Sequence, residues 1–120
     1  MARYAYAGLE RILHEKARLG LMTCLAAHPQ GLLFNDLKDM VDLTDGNLSR
    51  HLQVLAQHNL IEIYKSFEQK RPQTLCRLSE EGQGRFLAYI EELKSVLQDA
   101  ERTAQQPKQA TSLPPGWVPA

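Results

Sequence analysis

The chain has 120 residues, 43% of them hydrophobic, and its 14 basic side chains balance 14 acidic ones, so it is sized for a single compact domain. No apolar run approaches the roughly 20 residues of a membrane helix and the N-terminus lacks a secretory pattern, which predicts a soluble cytoplasmic protein without membrane partners. Cys24 and Cys76 are far apart and flanked by Leu25 and Leu75, a context for two core residues and not for a disulfide framework or a CxxC metal site.

Leu9, Ile12, Leu13, Ala17, Gly20, Leu21, Cys24 and Leu25 recur at three- and four-residue spacing and predict one long amphipathic helix, ended by the turn signal His28-Pro29-Gln30-Gly31. Asn35 or Asp36 is placed to cap a short second helix carrying Leu37, Met40 and Val41. Thr44 stands as N-cap of a third helix, Asp45 opposes its dipole, and Leu48, Leu52 and Leu55 give it one apolar stripe to about His58. Leu60 to Lys65 and Gln73 to Leu78 are β-rich and enclose a basic loop with Lys70, Arg71 and Pro72, the pattern of a hairpin with a charged tip. Ser79 caps a last helix with Glu80 and Glu81 in its first turn, weakened at its start by Gly82 and Gly84, and a stripe of Phe86, Ile90, Leu93 and Leu97 carries it to about Arg102. Residues 103–120 are Gln- and Pro-rich, include Leu113-Pro114-Pro115-Gly116-Trp117, and are expected to be extended or flexible. The expected division is therefore a domain over 1–102 and a tail over 103–120. The fold expected is mainly α, of the α+β class, with element order α-α-α-β-β-α, the plan of a winged helix-turn-helix.

Charge is balanced overall but not locally. Arg50 to Arg77 carries a net +3 and Leu78 to Glu101 a net −4, an asymmetry that suits a protein offering one face to a polyanion. On the third helix Leu48, Leu52 and Leu55 share one side, leaving Gly46, Arg50, Gln53 and Gln57 opposite with Asn47 and Ser49 on the flanks. Those groups fit base edges and phosphates: Arg to guanine, Asn and Gln to adenine, Ser to either. Gly46 lets the helix N-terminus, with its free amides, approach a phosphate. Lys65, Lys70 and Arg71, with Arg77, would make the hairpin a phosphate-holding wing. The plain alternative is an ordinary exposed polar helix beside a solvated loop.

The run Leu43-Thr44-Asp45-Gly46-Asn47-Leu48-Ser49-Arg50-His51-Leu52, then Leu55, Lys70-Arg71-Pro72 and Leu78-Ser79-Glu80-Glu81-Gly82, resembles compact winged-helix regulators related to the MarR and ArsR families. The resemblance extends over about Tyr6 to Leu97, including Ile12, His14, Arg18 and Leu21 of the first helix. It implies a homodimeric transcription regulator reading an inverted repeat of double-stranded DNA through paired recognition helices, with the first and last helices as dimer surface; the DNA-contact residues expected are Thr44, Gly46, Asn47, Ser49, Arg50, Gln53, Lys65, Lys70 and Arg71. Unlike the ArsR metal sensors, the chain has no Cys-x-Cys before its third helix, so no metal is expected.

The last helix has more apolar stripe than a domain this small needs. Phe86, Tyr89, Ile90, Leu93 and Leu97, with Leu9, Ile12 and Leu13, are expected to pack against the same elements of a second subunit; the alternative is that all serve one core. A cleft between subunits is the expected place for any small-molecule effector, which the sequence does not name. His14, His28, His51 and His58 lack zinc-type spacing, and Glu10, His14, Glu15 and Arg18 read as ion pairs and not as an acid/base cluster. No nucleophile with its base, P-loop or dinucleotide motif is present, so neither catalysis nor a cofactor is expected. Repression by occupancy is the default regulatory sense. The competing reading is a winged-helix protein-interaction module without DNA binding, favoured by the zero net charge and by Trp117 as an anchor.

Overall fold

In a computed structural model the chain is described at residues 2–67, 71–106 and 112–120. The elements run α1 (Lys16–Ala27), β1 (Leu32–Leu33), α2 (Phe34–Val41), α3 (Asp45–Gln57), β2 (Ile61–Ser66), β3 (Gln73–Leu78) and α4 (Glu80–Ala104). This is the expected order with one short strand added. The three strands form an antiparallel sheet in the order β1-β3-β2, with Leu32 opposite Cys76 and Lys65 opposite Thr74.

The core is built from one stripe of each helix and the inner face of the sheet. Leu21, Met22 and Leu25 of α1 meet Leu37 of α2, Leu48, Leu52 and Leu55 of α3, Leu60, Ile61 and Cys76 of the hairpin, and Phe86 and Tyr89 of α4. Side-chain oxygens begin two helices as expected: the Thr44 hydroxyl accepts from the Asn47 amide (3.3 Å) and the Ser79 hydroxyl from the Gly82 amide (2.8 Å).

Two helix starts differ from the expectation. α1 begins at Lys16 and not near Leu9, because the Glu15 carboxylate accepts from the amides of Ala17 (2.7 Å) and Arg18 (3.3 Å) and so closes the helix there. The preceding residues form turns that lie along α4. The Tyr6 hydroxyl donates to Asp99 (2.7 Å), the Gly8 amide to Glu92 (3.2 Å), and Arg85 pairs with Glu10 (2.7 Å). Leu9 and Ile12 still pack on the core and Leu13 is fully buried in it, so their helix-like spacing reflects burial without a helix. α2 begins at Phe34, capped by the backbone of Leu33 with no side-chain bond. Asn35 and Asp36 therefore lie inside its first turn and not at its cap, because the β1 pairing to β3 leads the chain straight into the helix.

Past α4, residues 112–120 form no regular element, and a turn in which the Trp117 amide donates to the Pro114 carbonyl (3.3 Å) leaves Trp117 70% exposed. Among the described residues no helix is long and apolar enough to cross a membrane.

Candidate nucleic-acid interface

α2 and α3 are joined through Asp42, Leu43 and Thr44 alone. Asp42 takes the left-handed conformation (φ 54°) and its amide donates to the Lys38 carbonyl, which turns the chain sharply at the end of α2. Lys38 then reaches across to Asp45 in the first turn of α3 (2.8 Å), tying the two helices at their junction. The Asp45 pairing raises the Lys38 pKa, mainly through the hydrogen bond.

With Leu48, Leu52 and Leu55 buried, α3 presents Gly46, Asn47, Ser49, Arg50, Gln53 and Gln57 to solvent. The Arg50 guanidinium donates to the Asn47 side-chain oxygen one turn earlier (3.3 Å), so the two groups project from the same strip of surface. His51, half-buried at the edge of the stripe, lies 3.5 Å from Arg18, whose Nε donates to the Ile12 carbonyl (2.7 Å). These contacts fix the back of α3 to α1 and leave its front uncommitted to the fold.

The hairpin stands beside that front. Strand alternation puts Ile61, Ile63 and Lys65 on the inner face, and the first two anchor in or against the core. Lys65 and its partner Thr74 face Ser49 and Gln53 across a cleft of about 140 Å³ floored by Phe34, Leu52 and Ile63. Helix and hairpin thus form one groove with hydrogen-bonding groups on one wall and a cation on the other. Arg71 is exposed at the far end of the hairpin, while Lys70 lies outside the described residues.

Arg77 does not belong to this groove. It sits on the outer face of the sheet, where it donates to Glu62 (2.8 Å) and to the Tyr64 hydroxyl (3.3 Å) and lies 5.1 Å from the centre of the Tyr64 ring. The Arg77 hydrogen bond, with a second from Tyr64, holds the Glu62 carboxyl below its ordinary range. The local positive excess expected from the sequence is correspondingly smaller at the groove. Thr74 was not among the expected site residues; its place opposite Lys65 follows from the hairpin register, which a strand pattern alone does not supply.

The expected dimer residues separate into two groups. Leu13, Phe86 and Tyr89 are buried within the single chain, and Tyr89 also hydrogen-bonds His14 (2.7 Å). Leu9, Ile12, Ile90 and Leu93 are half-buried against that core, and Leu97 remains 53% exposed as the stripe of α4 runs past the body. A larger cavity, about 500 Å³, opens within the chain between α1 and the α2–α3 junction, lined by Lys16, Gly20, Cys24, Met40, Val41 and Leu43 among others. Among the described residues no three His, Cys, Asp or Glu side chains are grouped to hold a metal ion.

A family model described as the winged helix DNA-binding domain matches residues 17–97. The chain belongs to that family. In this winged helix domain α2 and α3 are the helix-turn-helix, and β2 with β3 is the wing. A transcriptional regulator homologue from Pyrococcus horikoshii OT3 superposes with a TM-score of 0.77 at 28% identity, over 84% of this chain and 99% of that one. MepR of S. aureus, solved in complex with DNA, shares the fold at a TM-score of 0.65 and 23% identity, over 81% of this chain and 78% of that one. MJ0432 of Methanocaldococcus jannaschii, an uncharacterised protein, is 35% identical over 68 residues, which is 57% of this chain and 74% of that protein. The family is one of DNA-binding domains.

Proposed function

We propose that this winged helix domain is a sequence-specific transcription regulator that acts in the cytoplasm as a homodimer on an inverted-repeat operator and represses by occupying it. The observation that carries the reading is the groove between α3 and the wing. Ser49, Gln53 and Lys65 line it, Asn47 and Arg50 project beside it, and all five are exposed. In this reading Arg50, Asn47 and Gln53 read base edges in the major groove, Thr44, Ser49 and the α3 amides near Gly46 hold phosphates, and Lys65, Lys70 and Arg71 extend the contact along the backbone. The solved regulator homologue and the MepR–DNA complex support it by likeness of fold.

A dimer gains support from Leu97 and from the half-buried Leu9, Ile12, Ile90 and Leu93, which leave apolar area at the edge of the core. A twofold arrangement sets two recognition helices about one DNA turn apart, roughly 34 Å. Besides the expected cleft between subunits, the cavity beside α1 and the α2–α3 junction is a second place for a small-molecule effector, within each chain.

The test is binding to fluorescent DNA from the gene's own upstream region across a salt series. Arg50→Ala is expected to weaken specific binding by about 1–3 kcal/mol and to relax sequence preference. Lys65→Ala with Arg71→Ala is expected to weaken binding on all sequences and to lower the salt slope by about 2. The competing reading, a protein-docking module, draws on the exposure of Trp117 (70%) and Leu113 (63%). It requires binding to a partner that hardly responds to salt and is indifferent to Arg50→Ala.

A further inference from the structure

We infer that Phe67 is an apolar wedge that enters the minor groove at the wing and unstacks a base step. This rests on the DNA-binding reading and names a contact of a different kind from the phosphate contacts assigned to the wing. β2 ends at Ser66, and Phe67 follows it directly with 73% of its surface exposed, more than any other Phe or Tyr in the described chain. Continuing the two-residue alternation of β2 by one position puts Phe67 on the side of Ile61, Ile63 and Lys65, the side that faces α3 and the groove. Along that row burial falls steadily: Ile61 is in the core, Ile63 half-buried, and Lys65 and Phe67 exposed.

Among the described residues this ring is not part of the core or packed against it. It also lies at the wrong end of the hairpin for the proposed dimer, since α4 packs on Leu60 while Phe67 lies seven residues along the strand, about 20 Å away. Its neighbours select the occupant. Lys65 on the same row and Arg71 at the far side of the hairpin are cations, which bind two phosphate-lined walls while an apolar ring fills the space between them. Apolar side chains in that position partly unstack the adjacent bases and bend the duplex toward its major groove. Pyrimidine–purine steps yield most easily, so each half-site should carry a TA or CA/TG step where the wing reaches, without any hydrogen bond to it.

The experiment uses the full chain and a duplex that it enriches from a random-sequence pool, labelled at both ends for distance measurement and with 2-aminopurine at the steps flanking the inverted repeat. Wild-type protein is expected to shorten the end-to-end distance and to brighten 2-aminopurine at one step per half-site. Phe67→Ala should lose the brightening and most of the bend and bind about tenfold more weakly with an unchanged salt slope, whereas Phe67→Leu should keep all three properties. Lys65→Ala should instead lower the salt slope by about 1 and leave the bend in place. Wild-type binding with no bend or brightening, or Phe67→Ala behaving as wild type, overturns the wedge while leaving the regulator reading intact. Enrichment of no duplex overturns both, and a Phe67→Ala defect confined to self-association assigns the ring to a protein contact and so overturns the wedge as well.

Discussion

A Cβ at position 82 would lie 1.8 Å from the carbonyl oxygen of Leu60, so the first turn of α4 is held against the start of β2 by the absence of a side chain. Gly82→Ala should therefore cost stability, by about 2–4 kcal/mol, read as a lowered urea midpoint. Gly46 gives the opposite result. A Cβ there meets nothing within 4 Å, so Gly46→Ala should leave the fold as stable or raise it by about 0.5 kcal/mol while weakening DNA binding, because only an outside surface needs the space. The sequence marks Gly82 as a helix weakener and Gly46 as room for a phosphate, and only the Leu60 backbone opposite Gly82 shows that its missing side chain serves the fold. The cysteines are likewise alike as sequence and unlike as chemistry. Burial pushes the Cys76 thiol up to about 11, whereas Cys24 is half-buried and lines the cavity beside α1. Brief iodoacetamide treatment at pH 8 should give one adduct per native chain, at Cys24, and two only after unfolding. Equal labelling of both native cysteines would contradict the burial of Cys76.

At the scale of elements, what local chemistry encodes was legible and what distant pairing encodes was not. Thr44 and Ser79 each sit before an apolar stripe and each accepts a backbone amide as the helix cap, and the bounds of β3 follow from its β-rich run. β1 has two residues, too few to show any periodicity, and exists because Leu32 and Leu33 find Cys76 and Leu75. The start of α1 was obscured because Leu9, Ile12 and Leu13 reach the core from turns at intervals that imitate a helix. The solvent face of α3 was readable from its leucines, but the second wall of the groove, and the removal of Arg77 from it, depend on register.

The true start of α1 has a pH signature. Burial raises the Glu15 pKa, but the Ala17 and Arg18 amides, with His51 and Arg18, outweigh it and leave the carboxyl below its ordinary 4.5. A depressed folded pKa contributes stability that is complete above the unfolded value and lost as pH falls through the folded one. Glu15→Gln should lower stability at pH 7 by about 1 kcal/mol and flatten the loss of stability on the acid side, measured as urea midpoint against pH. An unchanged acid limb would remove Glu15 as the cap that matters.

For the whole molecule the decisive quantity is the number of chains. Sedimentation equilibrium at micromolar concentration should give a dimer, and Leu97→Asp, which charges the exposed end of the α4 stripe outside the core, should give a folded monomer with much weaker operator binding. A wild-type monomer would leave the inverted-repeat operator without its basis.

Arg85 connects that quaternary question to the recognition helix. Its guanidinium holds Glu10 through two nitrogens (2.7 and 3.3 Å) and donates a third hydrogen bond to the carbonyl of His58, the residue that ends α3 (2.9 Å). The other end of α3 is pinned by Lys38 to Asp45. α3 is thus a lever with its pivot at the helix-turn-helix junction and its handle in the grip of α4. Over a helix about 20 Å long, a shift of about 1 Å at the handle tilts the axis by about 3° and turns the exposed face of α3 with it. Under the proposed DNA reading, a partner chain that repositions α4 would act through Arg85 on the angle of α3.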